Sequence, residues 1–137
     1  MITGIDLILA DHRRVDALFE QLGGPDDGPV IGMIMDALTA HDQAEQAALY
    51  PLAMKLLGSE LVERSELAHS RVKKLMDEIR QLEGAPLRDA VDVLRELVTE
   101  HVQDEESNLL PALSEAASAA ELDGLAARIE QNKQRVG

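Results

Sequence analysis

Apolar residues recur along this chain in alternating steps of three and four, the period of a helix with one buried face. The first stripe is Ile5, Ile8, His12, Val15, Phe19 and Leu22, with a histidine at its middle. It predicts a helix from about Thr3 to Leu22, capped by Thr3 with Asp6 in the first turn, and stopped by Gly23-Gly24 before a Pro25–Gly28 loop. The second stripe starts near Pro29 and runs Ile31, Ile34, Leu38, His41, Glu45, Ala48, Leu52. Pro51 falls inside it and is expected to kink or end the helix, leaving a short continuation to Leu57 that closes at Gly58. A third helix, capped by Ser59 and reaching about Leu82, carries Val62, Ser65, His69, Val72, Met76 and Ile79. After a break at Gly84-Ala85-Pro86, a fourth carries Val91, Leu94, Val98, His101, Glu105 and Leu109, with Pro111 interrupting its late part. Ser118, with Glu121 in capping-box position, opens a short fifth helix with Leu122, Leu125 and Ile129. The tail, Gln131 to Gly137, is polar and expected to fray.

The stripes repeat. Shifted by sixty residues, the second lies on the fourth: Ile34 on Leu94, Leu38 on Val98, His41 on His101, Glu45 on Glu105, Pro51 on Pro111. Shifted by fifty-seven, the first lies on the third: His12 on His69, Val15 on Val72, Phe19 on Met76. Short connections make neighbouring helices antiparallel. The expected fold is therefore all-α, an up-down-up-down antiparallel four-helix bundle with a short C-terminal helix, one domain over residues 1–137.

All four histidines of the chain fall on inward stripes at repeat-related positions, and His41 and His101 each have a Glu one turn on. A lone histidine on an apolar face is ordinarily a core residue with a hydrogen-bond partner. Four imidazoles and two carboxylates are another matter, because each buried polar group left unpaired costs about 1–3 kcal/mol. A metal centre satisfies all six. Imidazole with carboxylate suits iron, manganese or zinc, and six ligands suit two ions with positions left open, which favours redox-active iron over a closed zinc site.

Other polar residues fit less well. Glu66 stands three before His69, the spacing of ferritin-like di-iron bundles, but only one such pair exists, so Glu66 is read as a solvated residue. Asp104 and Glu106 flank Glu105, but only Glu105 matches a carboxylate ligand candidate in the repeat; Asp11, beside His12, is read as surface charge. Tyr50, whose repeat mate is Leu110, is out of phase with the ligand face of an ideal helix. It either packs under the end of the bundle or supplies a phenolate to the metal or a hydrogen bond to a bound ligand.

Composition narrows the function. Phe19 and Tyr50 are the only aromatic residues, so the core is aliphatic, and the absence of cysteine excludes disulfides, iron–sulfur clusters and thiol chemistry. The net charge of -13 repels phosphate backbones and anionic lipid, so neither nucleic acid nor membrane is an expected partner. The apolar patch Leu7-Ile8-Leu9-Ala10 lacks a basic leader and is too short to span a bilayer, which predicts a cytoplasmic protein.

The set His12, His41-x-x-x-Glu45, His69, His101-x-x-x-Glu105 resembles the hemerythrin-like, HHE-type cation-binding domain over roughly residues 3–116. The resemblance implies a four-helix bundle with a non-haem, oxygen-bridged pair of iron ions. His12 and His69 would be single ligands, and Glu45 and Glu105 would bridge. The chain departs from oxygen-carrying hemerythrins, which resemble a version with a second histidine where Lys73 stands and an Asp five residues after the last His, where Glu106 stands. One imidazole fewer argues against reversible oxygen carriage and makes a Tyr50 phenolate a substitute that favours ferric iron. The expected activity is decomposition of hydrogen peroxide, with Tyr50 as its best-placed donor. The alternative is a binding or sensing protein for oxygen, nitric oxide or iron.

Overall fold

The computed structural model describes residues 2–24 and 27–136; Pro25 and Asp26, expected in the first loop, lie outside them. The described residues are helical, with no strand among them. Helix α1 spans Gly4–Glu20 and α2 spans Asp27–Ala44. A single π-helical turn, Glu45–Leu49, leads into α3, Tyr50–Leu57. Helix α4 spans Glu60–Ile79 and α5 spans Gly84–Asp104. A second π turn, Glu105–Leu109, leads into α6, Leu110–Ala116, and α7 spans Ala119–Val136. The four rods α1, α2–α3, α4 and α5–α6 form the four-helix bundle, with α7 laid against α1, α2 and the first π turn.

The capping chemistry behaves as the sequence predicts at two ends. Thr3 and Asp6 form a reciprocal capping box, and Ser118 and Glu121 form another. Ser59 occupies its cap position but makes no side-chain cap bond. Helix α2 begins at Asp27, two residues ahead of Pro29, and the Asp27 carboxylate accepts from the Gly23 and Gly24 amides at 3.0 Å. Gly84, with φ +63°, opens α5 in a conformation that side chains rarely adopt.

Two expectations are modified for physical reasons. The α-helix is interrupted near each proline and the short continuation closes at Gly58, but neither Pro51 nor Pro111 ends its rod. Each sits in the first turn of a new α-helix, where a missing N–H costs nothing, and a π turn precedes it. The Tyr50 amide bonds to the Glu45 carbonyl and the Leu110 amide to the Glu105 carbonyl, both five residues back. The fifth helix is also not short: it continues through Gln131–Val136, where fraying is expected, anchored by Leu125 and Ile129 in the core and by Lys133 against Asp11.

The core falls into two apolar halves. One holds Ile8, Leu49, Tyr50, Val62, Leu110, Leu113, Leu125 and Ile129; the other holds Val15, Phe19, Ile34, Leu38, Val72, Met76, Leu94 and Val98. The histidines and the two repeat-related glutamates lie between them. The repeat mates Ile34 and Leu94 are both fully buried in the second half. Truncating either to alanine is expected to cost about 2–5 kcal/mol, read as a drop in the urea unfolding midpoint at unchanged slope. A loss under about 0.5 kcal/mol, the scale of a surface substitution, would contradict this packing.

Candidate metal centre

Each hairpin delivers ligands by the same local device. His41 and Glu45 are one turn apart at the end of α2, and His101 and Glu105 at the end of α5. His12 comes from mid-α1 and His69 from mid-α4. The structure brings all six together. His12, His41, Glu45 and Glu105 form one group whose donor atoms lie within 4.8 Å of one another, and Glu45, His69, His101 and Glu105 form a second. The two groups share both glutamates.

Glu45 is the hub. Its Oε1 lies 2.7 Å from His69 Nε2, 3.2 Å from His41 Nε2, 3.6 Å from His101 Nε2 and 3.3 Å from the Tyr50 hydroxyl. Glu105 faces His12 Nε2 at 3.1 Å and His101 Nε2 at 3.4 Å. Both carboxylates are sealed from solvent, at 1% and 0% exposure. Most of these atoms converge without hydrogen-bond geometry: the Nε2 atoms of His12, His41 and His101, Glu45 Oε2 and both Glu105 oxygens have no hydrogen-bond partner among the described residues. Native interiors rarely leave so many buried polar atoms unpaired at one point. A cation at that point satisfies them, and the mixed imidazole–carboxylate donor set suits a first-row transition metal.

Three histidines are oriented from behind by carboxylates. Glu106 lies 2.7 Å from His12 Nδ1, Asp11 lies 3.2 Å from His41 Nδ1, and Asp42 contacts His69 Nδ1. Asp11 is thus a partner of the centre and not the surface charge its sequence position suggests. Each of these carboxylates is adjacent in sequence to a ligand candidate yet serves a histidine on another helix. That adjacency is the signal by which they are found. Among the described residues His101 Nδ1 has no such partner; the repeat mate of Asp11 is Ala68. Glu66 is exposed, as expected, and Asp104 points outward to Arg64 at 2.6 Å.

Tyr50 is buried, and the π turn explains how it reaches the site. Residues five apart stack in a π turn, so Tyr50 comes into phase with Glu45. Its ring lies in the first half of the core. A cavity of about 270 Å³ opens on the other side of the polar layer, floored by all four histidines, walled by Val15, Leu38, Val72, Met76 and Val98, with Lys73 among its polar residues. Tyr50 does not line it.

A model of the hemerythrin HHE cation-binding domain matches residues 3–113. The chain belongs to that family. A solved HHE cation-binding domain protein from Mycobacterium kansasii shares the fold, with a TM-score of 0.83 at 18% identity, covering 98% of this chain and 90% of its own. An uncharacterised hemerythrin-like protein from Schizosaccharomyces pombe is 24% identical over 96% of this chain and 69% of its own length. A DNA nickase from Nostoc sp. is 31% identical over 96% of this chain, which spans only 39% of the nickase. The family is described as cation-binding, and the His/Glu layer fits a metal site. No helix among the described residues is long and apolar enough to cross a membrane.

Without a cation, protons hold the layer together. Burial pushes the Glu45 carboxyl up, but the His41 charge and the neighbouring Glu105 and His101 outweigh it and leave Glu45 well below the usual carboxylate range. Burial and the Glu45 charge push Glu105 well above that range. Burial lowers His12, and the His41 charge adds to the effect. Burial would lower His41 and His69 too, yet Glu45 and their outer carboxylates raise them to about 10 and about 9. Both imidazoles hold their proton more tightly folded than unfolded. Their stabilisation is complete below about pH 6.5 and fades as pH rises through the folded values. The raised Glu105 acts in the same direction. The metal-free protein is therefore expected to unfold at lower urea concentration near pH 10 than near pH 7, with a smaller difference in His41→Gln. An equal or higher midpoint near pH 10 would contradict this charge arrangement.

Proposed function

We propose that this protein holds two iron ions in the polar layer and decomposes hydrogen peroxide there. His12 and His41 would serve one ion, His69 and His101 the other, with Glu45 and Glu105 between them. The observation that carries this reading is the cavity: its floor is the imidazole side of the layer, while the glutamates are sealed on the other side. A small molecule thus has a route to the ligand face, and bulk water has none to the carboxylates. Iron held there supplies the electron exchange by which one peroxide is oxidised to dioxygen while another is reduced to water. The chain positions and desolvates: the aliphatic walls exclude larger substrates, and the outer carboxylates keep the Nε2 atoms aimed inward.

Tyr50 acts at the metal side in this reading, not as an acid toward an incoming molecule, since its hydroxyl points at Glu45 from outside the cavity. Burial and the charges of Glu45 and Glu105 push its phenol far above its ordinary value, so only a bound cation would make it a phenolate. A phenolate on iron gives a visible absorption band. The activity in the Nostoc relative's name is not proposed for this chain: 26 acidic against 13 basic residues oppose binding a polyphosphate backbone.

The deciding experiment adds hydrogen peroxide to the iron-loaded protein at an oxygen electrode. Sustained dioxygen release over many turnovers is expected. A reversible spectral change under oxygen or nitric oxide without turnover would replace the enzyme by a binding or sensing protein. Tyr50→Phe should lose a visible band without losing iron; an unchanged spectrum would leave Tyr50 as a packing residue that donates to Glu45.

A further inference from the structure

Helix α7 lies beyond residue 113, where the match to the family model stops, yet it is built into the molecule. Leu125 and Ile129 are buried in the first half of the core. The first turn of α1 is shaped to receive them: a Cβ on Gly4 would stand 2.4 Å from Leu125 Cγ and 2.8 Å from Leu125 Cβ. Only glycine permits that approach without displacing α7. Two turns beyond Leu125, Lys133 contacts Asp11 Oδ1, while Oδ2 of the same carboxylate lies 3.2 Å from His41 Nδ1. One carboxylate is therefore shared between the fifth helix and a ligand candidate of the centre.

We propose that Lys133 is a positioning residue for the metal centre: by pinning Asp11, α7 fixes the imidazole of His41, and docking of α7 is thereby linked to cation binding. The proposal rests on the polar layer being a metal site. Its physical basis is geometric. A carboxylate held at one oxygen by an ammonium and at the other by an imidazole cannot turn without breaking one contact. The imidazole in turn keeps the orientation that aims Nε2 at the centre. Asp11 is mostly buried, its side chain 15% exposed, so the pair is less screened than a surface ion pair. Linkage works both ways, so a bound cation also strengthens the seating of α7.

The test compares wild type, Lys133→Met, Lys133→Arg and Asp11→Asn in two measurements. The first is the rate at which a strong chelator strips iron from the loaded protein. Asp11→Asn should accelerate it about tenfold or more, and Lys133→Met several-fold, with Lys133→Arg restoring most of the wild-type rate. The second uses the metal-free protein and follows exchange of the His41 Nδ1 proton by nuclear magnetic resonance. Lys133→Met should speed that exchange several-fold at unchanged helicity, and Lys133→Arg should not. Wild-type rates in Lys133→Met in both measurements would overturn the proposal. A wild-type protein that takes up no metal would sink the metal-site reading instead, with proton exchange still deciding whether Lys133 positions His41.

Discussion

The structure depends on the contact of Glu45 Oε1 with three imidazoles and a phenol in a place water does not reach. A buried carboxylate is tolerable only with partners, and several kcal/mol are lost if one is removed and the charge remains. Everything around Glu45 supplies those partners from different helices. The bundle is consequently not a continuous aliphatic core but two aliphatic halves joined through a polar layer. That layer sets the register of the four rods, because a helix shifted by one turn would place an apolar side chain against Glu45 and a histidine among leucines.

The π turns are the local feature that makes this layer possible. Both begin at the sealed glutamates and both precede a proline. An uninterrupted α-helix would set the proline ring against a carbonyl four residues back. One extra residue per turn removes that conflict and rotates the helix beyond it. In the first copy it turns Tyr50 toward Glu45; in the second the same place holds Leu110, which packs in the core. The outer carboxylates carry the asymmetry further: His41 is backed by Asp11, while Ala68 occupies the matching place and leaves His101 without a carboxylate behind it. Two halves built from one pattern thus present different surroundings to whatever they bind.

Much of this was legible from residue order alone. The stripes located every rod, since an aliphatic face with a three-four period has few other ways to be buried, and the repeat placed six polar residues at one level. What escaped is equally physical. A π turn inserts one residue into a stripe whose spacing already alternates, so periodicity does not reveal it, and the prolines read as breaks. Asp11 reads as surface charge, and Glu106 is passed over for Glu105, because each lies one residue off the inward stripe; the angle between helices, absent from a single stripe, turns them toward a neighbour's histidine. The reach of α7 was hidden because its last turns are polar and hold on through Lys133 rather than a leucine.

As proposed, the polar layer is a site for metal and not a self-contained proton network. Elemental analysis of the purified protein decides between the two, with Glu45→Gln as the control that keeps the shape and removes the hub charge. Close to two iron ions per wild-type chain are expected, with a large loss in Glu45→Gln. A fully helical wild-type protein that binds no metal, even when refolded with ferrous iron, would contradict it.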